Sequence, residues 1–344
     1  MADTQYNRFD AAVRGLPADR TPIWFMRQAG RYLPEYRAVR KKLSFDEMLA
    51  DADVATEITL QPIRRFDLDA AVIFADIMTI LNGLDIPFNF ASGGPALEFH
   101  SNDPKEREKL DPQRIIGNQV KFSPFLQAIR QVRAGLPGEK SVVGFAASPF
   151  TLLSYLLEGT TSKTHNKTRA FILSEAPIFH SMMDAVADCT AEYLRLQFDA
   201  GVSAVQIFES WGDVLSGESY SRLVLPYIRK IISKLSPLGP VILYDKGASL
   251  HIDKLRPFAK ESGAVLSVDW RIDVAQLSDL TIQGNLDPAA LESDPVSVRK
   301  EVEYILRSRN GKPGHVFNLG HGISPQANLA CVESMVETVR DFRV

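Results

Sequence analysis

Ala70-Ala-Val-Ile-Phe-Ala-Asp76 is a run of small, β-branched and aromatic side chains without a polar break, closed abruptly by a carboxylate. A strand with one wet face alternates apolar and polar residues, whereas a continuous short run suits a strand covered on both faces, as in a parallel sheet. The pattern recurs. Thr21-Pro-Ile-Trp-Phe-Met26 precedes it, and Val142-Val-Gly-Phe-Ala146, Ala204-Val-Gln-Ile-Phe208, Val241-Ile-Leu-Tyr244, Val265-Leu-Ser-Val268, Thr281-Ile-Gln283 and His315-Val-Phe-Asn-Leu319 follow, eight runs in all. Helical spacing fills the gaps, as in Met182, Val186, Cys189, Tyr193 and Gln197, closed by Gly201 where a left-handed cap is expected. Ser44-Phe-Asp-Glu47 has capping-box spacing and opens a helical pattern reaching about Arg65. Ile86 to His100 reads as a hairpin turned at Ser92-Gly-Gly-Pro95, and a charged helix-like stretch runs on to Gly138. Eight strand–helix units predict an α/β fold: one (β/α)8 TIM-type barrel over residues 1–344, with the hairpin and helical segment inserted after the second strand. An open doubly wound sheet is the alternative.

Each run is followed within a few residues by a polar group: Arg27, Asp76, Ser148, Ser210, Lys246, Asp269, Asn285 and His321. Because the carboxyl ends of barrel strands converge on one face, these eight are expected to face a common cleft. Arg27 and Arg31, with Arg37, Arg40, Lys41 and Lys42 beyond, concentrate positive charge after the first run, and guanidinium forks suit carboxylates. The structural reading of the same arginines is a solvated loop paired with Glu35 or other acids. Gly30 serves either a close ligand or a turn. Asp76, followed by Ile77 and Met78, is expected to be partly dehydrated, which is costly for an unpaired carboxylate. It caps the next helix, pairs with an arginine, or meets a ligand or a positive charge developing in it. His321 stands in Asn318-Leu-Gly-His-Gly322, a glycine-rich turn ahead of a helix expected near Pro325. Tyr155, Phe208 and Ser210 would each pass for packing or hydrogen-bonding residues on their own.

Composition limits the alternatives. A net charge of −3 lacks the basic face of a nucleic-acid binder, so any anionic ligand must meet a local cationic cluster. Ala70 to Leu84, the longest apolar region, is broken by Asp76 and too short to cross a bilayer. Cys189 and Cys331 suggest no disulfide framework, and Met1 to Asp10 lacks the basic and apolar parts of a secretory leader, so a reducing cytoplasm is the expected location. His165, His180, His251, His315 and His321 show no zinc-ligand spacing, and neither a P-loop nor a dinucleotide fingerprint occurs. No metal is expected.

Taken together, Thr21-Pro-Ile-Trp-Phe-Met-Arg-Gln-Ala-Gly-Arg-Tyr-Leu-Pro-Glu-Tyr-Arg37 and Gly144-Phe-Ala-Ala-Ser-Pro-Phe-Thr-Leu-Leu-Ser-Tyr-Leu-Leu-Glu-Gly159 resemble the two signatures of the uroporphyrinogen decarboxylase family. Ile73-Phe-Ala-Asp76, Phe208-Glu-Ser210, Gln283-Gly-Asn-Leu-Asp-Pro288 and Asn318-Leu-Gly-His-Gly322 extend the likeness along nearly the whole chain. The resemblance implies a homodimeric barrel that removes carbon dioxide from the four acetate arms of uroporphyrinogen III, giving coproporphyrinogen III without a cofactor. It implies substrate contacts at Arg27, Gln28, Ala29, Gly30, Arg31, Asp76, Tyr155, Ser210 and His321, with Asp76 stabilising the transition state; Phe208 is expected to pack against the macrocycle and Arg27 to help deliver the proton. Ala147, where the signature usually has glycine, and Tyr244-Asp-Lys-Gly247, where a smaller and less polar run is expected, depart from the pattern; neither is expected to touch these contact residues, so they bear on fine substrate fit rather than on the reaction.

The chemistry needs an electron sink, and a pyrrole is able to act as its own. Protonating the ring carbon that bears the acetate is expected to create an iminium-like cation, which a fixed carboxylate would stabilise. Two other readings remain: a zinc-dependent, corrinoid-linked methyltransferase on a related barrel, and a tetrapyrrole carrier without activity.

Overall fold

The computed structural model describes residues 7–91 and 94–343. Among them a parallel seven-stranded sheet runs in the order β1 (Ala70–Val72), β4 (Ser141–Ala147), β5 (Ala204–Glu209), β6 (Val241–Asp245), β7 (Val265–Val268), β8 (Ile282–Gln283), β9 (His315–Val316). An antiparallel pair, β2 (Phe88–Ala91) and β3 (Gly94–Leu97), forms the expected hairpin; Ser92 and Gly93 at its turn lie outside the described residues.

The sheet curls, and buried polar side chains show how. Gln283 of β8 donates through Nε2 to Gln206 Oε1 of β5 at 2.7 Å and to Ser267 Oγ of β7 at 2.8 Å, while accepting from Trp24 Nε1 at 2.9 Å. On a flat sheet β5 and β8 would be separated by three spacings of about 4.8 Å each. Only strong curvature brings their inward side chains into hydrogen-bonding contact. Phe9 and Val13 of the helix Arg8–Val13 pack with the inward residues Trp24, Val143, Ala204, Ile242 and Val316.

Thr21 to Met26 departs from the expectation of an eighth strand. Its ladder is one parallel bridge, Ile23 with Phe317, flanked by Phe317 N–H to Pro22 O at 2.8 Å and Trp24 N–H to Phe317 O at 3.3 Å. On the other side Asp69 N–H donates to Ile23 O at 2.9 Å, and the Asp69 carboxylate accepts from Ile23 N–H at 2.8 Å. A carboxylate thus substitutes for part of the ladder, and Pro22 has no N–H to extend it. Arg20, 2.8 Å from Asp69, neutralises that buried charge.

The helices follow local chemistry. The Ser44/Glu47 capping box forms, but the helix expected to reach Arg65 is two, Phe45–Ala50 and Ala52–Phe66. Asp51 accepts from the amides of Asp53 and Val54, and this second N-cap restarts the chain. Ala176–Ala200 ends at Gly201 with φ +111°, the expected left-handed cap. That helix lies so close to β4 that a Cβ at Gly144 would stand 2.3 Å from Gln197 Oε1, while the Gln197 amide binds both the N–H and the C=O of Phe145. The helix expected near Pro325 begins instead at Leu329, capped by Asn328. His321 is therefore not in the turn entering a helix.

Candidate functional site

A cleft of about 620 Å³ opens at the carboxyl ends of the strands, within the usual range for a small-molecule site. Four of the eight strand-end groups line it: Arg27, Asp76, Ser210 and His321. The other four, expected to face it too, are engaged elsewhere. Ser148 is buried, caps the helix Pro149–Glu158 and meets Glu209. Lys246 stands 3.3 Å from Asp213 and over the Trp211 ring. Asp269 is buried and paired with Arg271, and Asn285 holds the carbonyls of Asp269 and Ile272.

Arg27 sits at φ +63°, a left-handed conformation that a side chain with a Cβ adopts at some energetic cost. The residue before it, Met26, is tied down through both of its backbone groups. Asn318 Oδ1 accepts from Met26 N–H, and Ile323 N–H donates to Met26 O. Gln28 was expected to bind substrate, but it is fully buried behind the loop, donating to Ala70 O and accepting from Phe25 N–H. Ala29, Gly30 and Arg31 do line the cleft. At Gly30 a Cβ would fall 2.9 Å from the Arg27 carbonyl, so the turn itself demands glycine. Glu35, the acid expected to pair with these arginines, binds Arg65 instead. Neither Arg27 nor Arg31 makes a side-chain ion pair among the described residues.

Gly322 packs directly beneath Arg27, where a Cβ would lie 2.5 Å from the Arg27 Cδ and 2.9 Å from Nε. Gly322→Ala is expected to push the guanidinium aside and lower kcat/KM by about 10- to 100-fold, since misplacing a substrate-holding group by about 1 Å has such effects. Steady-state kinetics with an unchanged thermal midpoint would confirm a local displacement; kinetics within twofold of the parent would refute it.

Asp76 is the sole carboxylate among the lining residues, against the guanidiniums of Arg27, Arg31 and Arg40. One oxygen accepts the Met78 amide at 2.8 Å, so Asp76 closes a turn and does not cap the next helix, Ile80–Gly83, whose N-cap is Thr79. Burial pushes the Asp76 carboxyl above the usual carboxylate range, while the Met78 amide and the charge of Arg27 pull it back. Tyr155, buried and edge-on to Trp211, lies within the electrostatic field of Asp76. Ser210 is aligned from below: its N–H donates to Thr151 Oγ1 at 2.8 Å, and Thr151 donates to the buried Glu209 at 2.8 Å. Burial, with the Asp245 charge, pushes Glu209 up to about 7 although Ser148, Thr151 and the Trp211 amide all bind it.

Phe208 forms an aromatic floor with Phe145 at 5.5 Å and Tyr244 at 5.6 Å. Tyr244 corrects a further expectation. As part of the departing Tyr244-Asp-Lys-Gly247 run it was expected to bear on substrate fit without touching the contact residues, yet it lines the cleft and its hydroxyl lies 2.6 Å from His321 Nδ1. Alternation along β6, which turns Ile242 and Tyr244 to one side, was the available signal. Arg40 and Trp24 were also missed as lining residues. Burial and the nearby charges of Arg27 and Lys246 depress His321 to about 4, with Asp213 opposing. No group of three or more potential metal-binding side chains occurs among the described residues, and no helix among them is long and apolar enough to cross a membrane.

Residues 4–342 match the family described as Uroporphyrinogen decarboxylase (URO-D). A uroporphyrinogen decarboxylase of Roseiflexus sp. is 38% identical, with 98% of this chain and 99% of the relative aligned. One from Geobacter sulfurreducens is 38% identical over 97% and 98% of the two chains. In three dimensions a methyltransferase from Methanosarcina mazei superposes with TM-score 0.82 at 17% identity, covering 98% of this chain and 99% of its own, a likeness of fold alone.

Proposed function

The chain belongs to the uroporphyrinogen decarboxylase family, and on that premise we propose how its cleft removes carbon dioxide from the acetate arms of uroporphyrinogen III. The activity is that of a carboxy-lyase in tetrapyrrole biosynthesis. The single observation that carries the site reading is a lone, partly buried carboxylate, Asp76, opposite arginines that have no acid partner among the described residues.

The proton goes to the pyrrole α-carbon beside the one bearing the acetate, not to the acetate-bearing carbon as expected above. Saturating that carbon would cut the breaking bond off from the cationic nitrogen. With the α-carbon protonated, the CH2–COO− bond lies next to a conjugated iminium. Its electron pair moves into the ring, carbon dioxide leaves, and an exocyclic methylene remains. A proton then adds to the methylene and the α-proton departs, restoring the pyrrole with a methyl group. Each arm consumes one proton overall, and no external electron sink is called for.

Asp76 stabilises the cation. At a separation of about 4 Å and an effective dielectric near 20, the attraction is roughly 4 kcal/mol. Arg27 and Arg31 hold substrate carboxylates, Tyr155, Ser210 and His321 orient the arms, and Phe208 packs against the macrocycle. Ala29 and Gly30 offer backbone, whereas Gln28 braces the loop. Arg31→Ala is expected to raise KM by about 3- to 10-fold with kcat unchanged, the signature of lost binding at an exposed charged contact. A fallen kcat at constant KM would remove Arg31 from the binding role.

In the same reading the Pro22–Phe25 segment closes the curled sheet into one (β/α)8 barrel spanning residues 1–344. The hairpin and the helices up to Gly135 are inserted after its second strand. The protein works as a cytoplasmic homodimer, without nucleic acid, cofactor or metal. The deciding experiment incubates purified protein with uroporphyrinogen III and measures carbon dioxide and coproporphyrinogen III; no decarboxylated product would refute the reading.

A further inference from the structure

Tyr244 lies against His321 with ring planes 21° apart and centroids 6.0 Å apart, its hydroxyl 2.6 Å from Nδ1 and 3.4 Å from the Gly320 carbonyl. We infer that Tyr244 is a positioning residue: its O–H donates to Nδ1 of a neutral His321, fixing the Nε2–H tautomer and turning that single donor toward a carboxylate arm of the substrate. The identity of the ligand rests on the proposed function; the tautomer is a property of the unliganded protein.

Three observations support it. A hydroxyl between two acceptors donates to the nearer, and 3.4 Å is long for an O–H···O bond. Both partners stay neutral, because burial raises the phenol well above its usual range while burial and two cations depress the imidazole. One proton is therefore available on each ring. Nε2 has no protein partner among the described residues, and His321 lines the cleft. In the opposite tautomer its lone pair would repel the carboxylates that Arg27, Arg31 and Arg40 attract. A neutral N–H also grips an anion without adding positive charge to a site that must tolerate a cationic pyrrole. Phe208, edge-on at 5.6 Å, holds the Tyr244 ring in place.

The groups around the imidazole come from several elements. Tyr244 is the penultimate residue of β6, Arg27 follows the first apolar run, and Lys246 and Asp213 act from beyond the carboxyl ends of β6 and β5. None supplies a second partner for Nδ1, so the tautomer depends on one hydroxyl.

Nitrogen-15 NMR of the histidine side chains, with His321 assigned from His321→Gln, reads the tautomer directly in substrate-free protein. Nδ1 is expected at a lone-pair shift and Nε2 at a protonated shift; in Tyr244→Phe, which removes one hydroxyl and keeps the ring, both should move toward a mixture. Kinetically, Tyr244→Phe should raise KM by about 3- to 10-fold, the loss expected of one hydrogen bond, with kcat within about twofold. In the His321→Gln background, where an amide offers N–H without needing a tautomer, adding Tyr244→Phe should change KM by less than about twofold. A parent protein protonated at Nδ1, or full additivity of the two substitutions, would overturn the inference. Absence of decarboxylation by the parent would refute the proposed function while leaving the NMR test to decide the tautomer.

Discussion

Asp76→Asn is expected to lower kcat about a thousandfold while KM changes little, because an attraction of roughly 4 kcal/mol realised only when the pyrrole becomes cationic is worth about that factor. The substitution separates charge from geometry. Asparagine keeps an oxygen able to accept the Met78 amide, the one hydrogen bond made by the Asp76 carboxylate among the described residues, so the turn should persist. Stability should not fall. For a carboxyl whose folded pKa is raised, the unfolded chain loses its proton first as pH rises. Its stabilising contribution is therefore present below the unfolded value and declines as pH climbs through the folded one. Once ionised, Asp76 costs stability, and Asp76→Asn should hold or raise the thermal midpoint. Product assays alongside thermal unfolding check both halves; activity within tenfold of the parent would remove Asp76 from the mechanism.

Arg27→Ala is expected to lower kcat/KM by about a hundredfold, since a charge-assisted contact to a substrate carboxylate is worth up to about 3 kcal/mol. It should also alter the pH dependence. Turnover needs Asp76 ionised, so activity falls as pH drops through its folded pKa, and Arg27 now pulls that pKa downward. Removing the guanidinium lets burial act with less opposition, moving the acidic limb of kcat/KM to higher pH. His321, depressed in part by the same cation, moves in the same direction. Arg27→Lys should restore much of the acidic limb through its charge, but not the bidentate grip. An acidic limb unmoved in Arg27→Ala would show that Arg27 and Asp76 are not electrically coupled.

The parts of the fold visible in sequence were those whose cause is local. The fully buried β4 and β6 are continuous apolar runs, and the Ser44 capping box and the Gly201 cap depend on residues within a turn of one another. Thr21 to Met26 has the same apolar look, yet its pairing depends on Asp69 and Phe317, far away in the chain, and no window of sequence displays that. The candidate site divides likewise. Arg27, Asp76, Ser210 and His321 reach the cleft, while Asp269 and Asn285, equally polar and equally placed after strands, turn back to satisfy loop amides, carbonyls and Arg271. An orphaned buried polar group costs more than a lost ligand contact, so local satisfaction wins wherever a partner is within reach.

Sequence by itself determined the alternation of buried strands with helices and the placing of polar groups after them, because hydrophobic periodicity and capping act over a few residues. Tertiary structure alone decided which of those groups stayed free for a ligand and which were paired. It set Gly322 beneath Arg27 and Tyr244 against His321, 77 positions apart. Such contacts exist only once the sheet has curled, since hydrogen bonding and desolvation depend on distance in space and not along the chain.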